Sequence, residues 1–264
     1  MKDAIGDRMK ENYENRSRFS LPRRSFTLIR LDGKSFHTYT KGLKRPFDED
    51  FINDMDETAA YLCKNIMGAK LAFVQSDEIS VLMTDFEEQG TEAWFDNNLQ
   101  KIASVSASMA TAKFNECRIK RHIQTALSGS DDLLNGRFKF AEFDSRVFQI
   151  PQKSEVENYF IWRQQDTTRN SISAVAQTLY SSKELHGKNT DAQQELIFQK
   201  GINWNDYAAK FKRGRVILKE TFEKLPDVLD SKSTSTIRTR WVSVEPPVFT
   251  QDRNLLQNLI PNNV

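Results

Sequence analysis

Strand-like and helix-like segments follow one another over the first 150 residues in an order that few folds accept. Residues 25–31 (SFTLIRL) form an apolar run that stops at Asp32-Gly33. Residues 50–67 place Phe51, Met55, Ala59, Leu62 and Ile66 at intervals of three or four, the spacing of one helix face. Asp48 or Glu49 is placed to cap the start of that helix, and Gly68 its end. Two more strand-like runs, 69–75 (AKLAFVQ) and 78–84 (EISVLMT), are separated only by Ser76-Asp77, which predicts a hairpin. A second helix is predicted over 91–116, with Phe95, Leu99, Ile102, Ser106 and Met109 on one stripe, and strand-like alternation returns at 137–150. Strand, helix, strand, strand, helix, strand is the βαββαβ order of the ferredoxin-like fold. The class is α+β: an antiparallel sheet carries both helices on one face and leaves the other face free for a ligand.

Residues 1–150 are read as one palm-like domain, since the palm of nucleic-acid polymerases belongs to this class of arrangement; the fold hosts many functions and does not decide the chemistry. After Pro151 the pattern turns helical: residues 153–185 contain no Gly or Pro, a break is expected near Thr167-Thr168, and another helix covers 190–200. Lys212-Arg213-Gly214-Arg215 then leads into a short strand at Val216-Ile217-Leu218. Residues 151–225 are expected to be a mostly helical extension that packs on the palm and binds nucleotide or RNA. Residues 226–264 are polar, carry Pro226, Pro246, Pro247 and Pro261, and are expected to form an irregular tail.

Charge narrows the partners. The chain has 38 Lys and Arg against 36 Asp and Glu, a net charge of only +2, so it is not basic throughout. The cations are clustered instead, for example at Arg16–Arg24, Arg118–Arg121 and Lys210–Arg215, and such clusters bind phosphates without raising the total. No apolar run reaches the roughly 18 residues of a membrane span. The N-terminus lacks the apolar core of a secretory signal. Cys63 and Cys117 are too few for a disulfide framework and are expected to be buried, reduced thiols in a cytoplasmic protein. Three His and two Cys, scattered, do not suit a zinc site. No Gly-x-x-x-x-Gly-Lys-Ser/Thr segment is present, which disfavours a P-loop NTPase.

The sharpest chemical feature is a pair of acids at strand ends. Asp32 closes the first strand, followed by Gly33, whose missing Cβ lets the backbone approach a ligand. Lys34, Ser35 and the local N–H groups are then placed to surround a polyphosphate. Asp77 sits at the predicted hairpin tip. In a βαββαβ sheet the first and third strands are adjacent and central, so Asp32 and Asp77 are expected to meet. Two carboxylates there suit Mg2+, which takes oxygen ligands and shares its site with substrate phosphates. Two such ions clamp the attacking and leaving oxygens of a phosphoryl transfer. Each acid alone also suits a turn; their joint placement favours the metal site. Glu78 stands with them as a candidate catalytic acid, either behind the first two or solvated.

These residues resemble a known family. Arg30-Leu31-Asp32-Gly33-Lys34-Ser35-Phe36-His37 and Ser76-Asp77-Glu78-Ile79-Ser80 are similar to the two signature segments of the tRNA-histidine guanylyltransferases. Phe143-Asp144-Ser145-Arg146, Trp162-Arg163-Gln164-Gln165-Asp166 and Phe211-Lys212-Arg213-Gly214 agree further, so the resemblance runs over roughly residues 5–220. It implies a palm enzyme that extends RNA in the 3′-to-5′ direction. A nucleoside triphosphate, ATP or GTP, activates the 5′ end of a tRNA, and the 3′-hydroxyl of an incoming nucleotide attacks the activated phosphate. By the same resemblance Asp32, Asp77 and the carbonyl of Gly33 hold two Mg2+ ions. Asp32, Gly33, Lys34, Ser35, Phe36, His37, Ser76 and Asp77 bind nucleotide, and Arg45, Ser76 and Asn170 touch a triphosphate. Lys101 and Arg146 lie near substrate phosphates, and Arg163, Lys212 and Arg213 are candidates for holding RNA. Family members are usually tetramers built from dimers.

One departure separates branches. The eukaryotic proteins follow Trp-Arg-Gln-x-Asp with Cys-His-Ile-Asn-Asn-Leu-Tyr-Asn; here residues 167–174 read TTRNSISA, and only Asn170 matches. The chain looks more like the bacterial and archaeal branch, which repairs truncated tRNA 5′ ends by template-directed addition. Base pairing would then choose the nucleotide, and the protein would read only shape and backbone. Two rival readings keep the palm: a nucleotide cyclase, which needs no RNA, and a non-catalytic RNA-binding module.

Overall fold

Apolar runs alternate between two packed faces, and that alternation fixes the sheet. The computed structural model describes residues 3–127, 139–224 and 235–262. Strands β1 (Phe26–Gly33), β2 (Ala69–Gln75), β3 (Glu78–Met83), β4 (Phe143–Ile150), β5 (Arg215–Lys224) and β6 (Thr236–Val244) form one sheet in the order β4-β1-β3-β2-β5-β6. Every neighbouring pair is antiparallel. The helices are α1 (Ala4–Asn12), α2 (Phe36–Tyr39), α3 (Glu49–Asn65), α4 (Leu99–Leu127), α5 (Lys153–Leu179), α6 (Ser182–Leu185), α7 (Thr190–Gln199), α8 (Ala209–Arg213) and α9 (Asn254–Leu259). The βαββαβ order is therefore β1-α3-β2-β3-α4-β4, with β1 and β3 adjacent at the centre as expected.

Helix α3 starts where Asp48 accepts the Phe51 amide, an N-cap that satisfies one orphan donor. Its apolar stripe, Met55, Ala59 and Leu62, packs with Ile29 and Leu31 of β1 and with Ile102, Ala110 and Phe114 of α4. The α4 stripe begins later than predicted. Phe95 lies in a short 3-10 turn at positive φ, and the helix proper runs from Leu99.

The other face of the sheet is not free, which corrects the expectation from the bare βαββαβ pattern. Phe26, Leu28, Leu71, Phe73 and Leu82 point that way and are covered by α5 through Val156, Tyr159 and Phe160. Helix α5 runs unbroken through Thr167-Thr168; both hydroxyls bond back to carbonyls four residues earlier, at 2.8 and 3.1 Å. The described part of the polar C-terminal stretch, residues 235–262, is ordered too. β6 pairs with β5 along its length, and Phe249, Leu256 and Ile260 are buried against α5. The parts of the predicted strand and tail that fall on residues 137–138, 226–234 and 263–264 lie outside the described residues. Cys63 and Cys117 are free and buried. Among the described residues no helix is long and apolar enough to cross a membrane.

Candidate active site at the strand ends

The central strands deliver the two aspartates to one place. Asp32 stands opposite Glu78 in the β1–β3 register, and the Gly33 amide donates to the Asp77 carbonyl at 3.1 Å. The hairpin tip reverses at Ser76 with φ +44°, a left-handed turn made without glycine. Gly33 has a packing reason as well: a Cβ there would lie 2.3 Å from the Phe36 ring, which folds back beneath it. That ring stacks with Tyr39 and packs against Phe51, Phe114 and Phe143. The Phe36 side chain is therefore core, which leaves only its backbone for a nucleotide contact, and it anchors the loop that carries Lys34, Ser35 and His37.

Sequence reasoning missed Asp144. It faces Asp32 directly across the β1–β4 pair. Arg146 reaches both, with Nη2 3.6 Å from an oxygen of each carboxylate. Asp77, by contrast, has no ion-pair partner within 4 Å among the described residues. Burial pushes its carboxyl up to about 6, and the charges of Asp32 and Glu78 push the same way. A half-buried acid with an acid for a neighbour and no cation of its own is held in an unfavourable state that a bound cation would relieve.

Two clefts open beside the acid pair, lined by neighbours of Asp32 and Asp77 rather than by the two carboxylates themselves. On the β2 side, Ser76 and Asn170 line a cavity of about 150 Å3 together with Gln75, Thr167, Phe47 and Lys210. Arg45 itself is exposed and flanks it through its neighbour Pro46. On the β4 side, Lys34 and Asp144 line a second cleft of about 520 Å3 with Ser108 and Thr111. Lys34 is paired there with Glu142, whose hydrogen bond and charge raise its pKa. Ser35 (φ +57°) and His37 are exposed, and a His37 ring nitrogen lies 3.0 Å from the Thr38 hydroxyl.

Several expected contacts are redirected by the packing. Glu78 is buried, and both its oxygens are taken: Arg163 contacts them at 2.8 and 3.0 Å, and Arg30 Nε lies 2.9 Å from Oε2. It is thus a buried ion-pair partner below the site, not a free catalytic acid. Arg163 is buried with it, so its side chain is not placed to touch RNA. Lys212 is turned inward likewise: it is buried, donates to the Asn205 carbonyl and lies over the Trp204 ring. Arg213 is half-buried, while Lys101 and Arg146 are exposed. The Arg118 and Arg121 side chains are committed to Asp54. The charge clusters read from sequence are therefore partly internal.

Fold and acid pair together define an α+β protein of the polymerase-palm class. The chain belongs to the Thg1 family, tRNAHis guanylyltransferase, whose description matches residues 6–151. A bacterial tRNA(His) guanylyltransferase (Thg1)-like protein solved with ATP is 44% identical, with 98% of this chain and 100% of that one covered and a TM-score of 0.82. One solved with GTP is also 44% identical, covering 98% and 99% at a TM-score of 0.78. The tRNA(His) guanylyltransferase of Saccharomyces cerevisiae is 26% identical over 209 residues, 74% of this chain and 83% of its own. The expected likeness to bacterial proteins is thus met, and nucleotidyltransferase is the class of enzyme.

The Asp77 carboxyl, without an ion-pair partner among the described residues, has a measurable consequence in cation-free protein. A carboxyl whose folded pKa is raised from 3.8 to about 6 stabilises the fold least when ionised. Stability is therefore lost as pH rises from about 4 through 6, and the deficit is complete above it. The full shift corresponds to about 3 kcal/mol before solvent screening reduces it. In EDTA at pH 8, Asp77→Asn is expected to melt roughly 5 °C above the parent, with the gap closing below pH 4. A melting curve for the variant that lies at or below the parent's at pH 8 would contradict the electrostatic picture.

Proposed function

We propose that this chain is a template-directed 3′-to-5′ nucleotidyltransferase that adds nucleotides to the 5′ end of truncated tRNA. The observation that carries the reading is the meeting of Asp32 and Asp77 at the ends of the central strands, beside two clefts. Oxygen donors of this kind fit magnesium, and the uncompensated charge at Asp77 fits a divalent cation. Asp32, Asp77 and the Gly33 carbonyl would hold the metal. Bound there, it would supply charge neutralisation to the phosphoryl oxygens of the reacting groups.

The chain's own groups do the rest. Ser76 and Asn170 line the cleft that would seat a triphosphate, with Arg45 at its rim and Lys210 on its wall. Lys34 and Arg146 stand on the opposite side, next to Asp144, where a second phosphate would arrive. Each is exposed and able to exchange its present carboxylate for a phosphate oxygen. ATP or GTP would activate the tRNA 5′ phosphate, and the 3′-hydroxyl of the next nucleotide would attack it. Ring contacts to the incoming base are not needed where the facing base of the tRNA chooses it.

The test offers a tRNA lacking its first nucleotide, with each NTP in turn, and sequences the 5′ end. Addition of the complement of the facing base, whatever that base is, is the expected result. Guanosine alone would indicate untemplated addition, and a cyclic nucleotide formed without RNA would replace the reading with a cyclase. RNA affinity is also expected to fall linearly in log–log terms as salt rises, by about 0.7–0.9 per phosphate contact. A flat salt profile in a filter-binding titration would argue against phosphate recognition.

A further inference from the structure

Helix α3 connects two cavities. Its first turns, through Phe51 and Ile52, line the cleft beside Ser76. Tyr61 stands ten residues beyond Phe51, about 15 Å along the axis at 1.5 Å per residue. There a separate cavity of about 540 Å3 opens between α3, Lys113 of α4 and the β5–β6 hairpin. Its volume is within the range of small-molecule sites, about 300–1,000 Å3.

The lining combines aromatic faces with cations. Lys219 and Trp241 are direct cross-strand partners in the β5–β6 register, so ammonium and indole are presented side by side on one sheet face. Tyr61 and Lys64 oppose them from α3. Glu57 is the acid in the lining, and it is already engaged: Lys113 lies 3.9 Å from it, Arg121 lies 3.8 Å from it, and the Cys117 thiol donates to it at 3.3 Å. Lys64 and Lys219 are exposed and, among the described residues, have no carboxylate within 4 Å. Lys70, beside this group, is held by Glu87, and its pKa is lowered by burial first and then by the charge of Lys219. Uncompensated lysines around aromatic faces are the pattern that binds a base by stacking and its phosphate by charge.

We infer that the cavity between α3 and the β5–β6 hairpin is a second nucleotide-binding site, in which Trp241 and Tyr61 stack a base and Lys64 and Lys219 take its phosphate. An unpaired nucleotide of a bound RNA strand and a free nucleotide share this chemistry. Only the first source rests on the function proposed above; the site itself does not.

The test is a binding measurement and needs no turnover. Wild type and the double variant Lys64→Glu/Lys219→Glu are titrated with a short single-stranded RNA and, separately, with AMP. Magnesium-ATP binding and the melting temperature are followed as controls on the catalytic edge and the fold. The variant is expected to bind whichever probe the cavity takes at least tenfold more weakly, with magnesium-ATP affinity and melting unchanged. Tryptophan quenching by the probe should be lost in Trp241→Phe. A tenfold loss confined to RNA assigns the site to a polymer; the same loss for AMP assigns it to a free nucleotide, and either supports the site. Wild-type affinity for both probes in the double variant, or an equal loss of magnesium-ATP binding, overturns it. Failure here leaves transfer by the wild-type enzyme untouched, so it is separable from failure of the proposed function.

Discussion

Asp77→Ala is expected to lower nucleotidyl transfer about a thousandfold or more while leaving a folded protein. The magnitude follows from what the carboxylate does. Charge builds on non-bridging oxygens during phosphoryl transfer, and removing a group that organises its neutralisation typically costs 10^2–10^5 in rate. Survival of the fold follows from the position. The side chain is at a hairpin tip and has no ion-pair partner within 4 Å among the described residues, and its backbone carbonyl still accepts from Gly33. Asp32→Ala should match it in rate but free Arg146, which then has only Asp144 nearby. Single-turnover transfer on a 5′-truncated tRNA, with circular dichroism on the same samples, checks both. A soluble Asp77→Ala protein that turns over within tenfold of the parent would refute the metal assignment.

The acid pair was legible because it interrupts apolar strands. Ile29-Arg30-Leu31 and Val74-Gln75 run into Asp32 and Asp77, and a charged residue at the end of a buried run marks a strand terminus. The βαββαβ order was legible for the same reason: β1, β2 and β3 are buried almost throughout. β6 and α9 were not. Residues 236–244 read TIRTRWVSV, with Arg238 and Arg240 breaking the apolar positions and most side chains exposed at the sheet edge, so no apolar run announces the strand. Phe249 and the short pairs Leu255-Leu256 and Leu259-Ile260 are too brief and too far apart to announce an element until α5 is in place to receive them.

Side-chain direction was the other blind spot. Whether Arg163 meets solvent depends on the fact that α5 lies on a sheet face, which its own sequence does not state. The helix carries Glu157, Arg163 and Gln164 inward, each buried. Phe36 belongs to the Asp32–His37 motif, yet an aromatic three residues past a strand end is as well placed to plug the core. The tightness of Gly33 against that ring shows that part of the motif is packing and not ligand recognition.

Glu78 makes the contrast sharpest, since it adjoins Asp77 and should respond to substitution in the opposite sense. Glu78 is 6% exposed and Arg163 4%. Besides its contacts with Arg163 and Arg30, its Oε1 accepts from Gln75 at 3.2 Å and from Ser80 at 3.4 Å. Glu78→Ala would leave Arg163 with Asp166, 3.0 Å away, and strand the Arg30 guanidinium. Breaking a buried pair from one side costs about 3–5 kcal/mol because the remaining charge stays desolvated. For a chain of this size that is a fall in melting temperature of roughly 10 °C. Glu78→Leu combined with Arg163→Met should lose less than Glu78→Ala alone, since the inner charges leave together and Arg30 can turn toward solvent. Differential scanning calorimetry on the three proteins in EDTA at pH 8 reads the order directly. Were Glu78 simply another ligand of the cation, its removal would raise the melting point of cation-free protein as Asp77→Asn does; a fall of this size instead places it in the support beneath the hairpin, holding β1, β3 and α5 at the spacing that lets Asp32 and Asp77 meet.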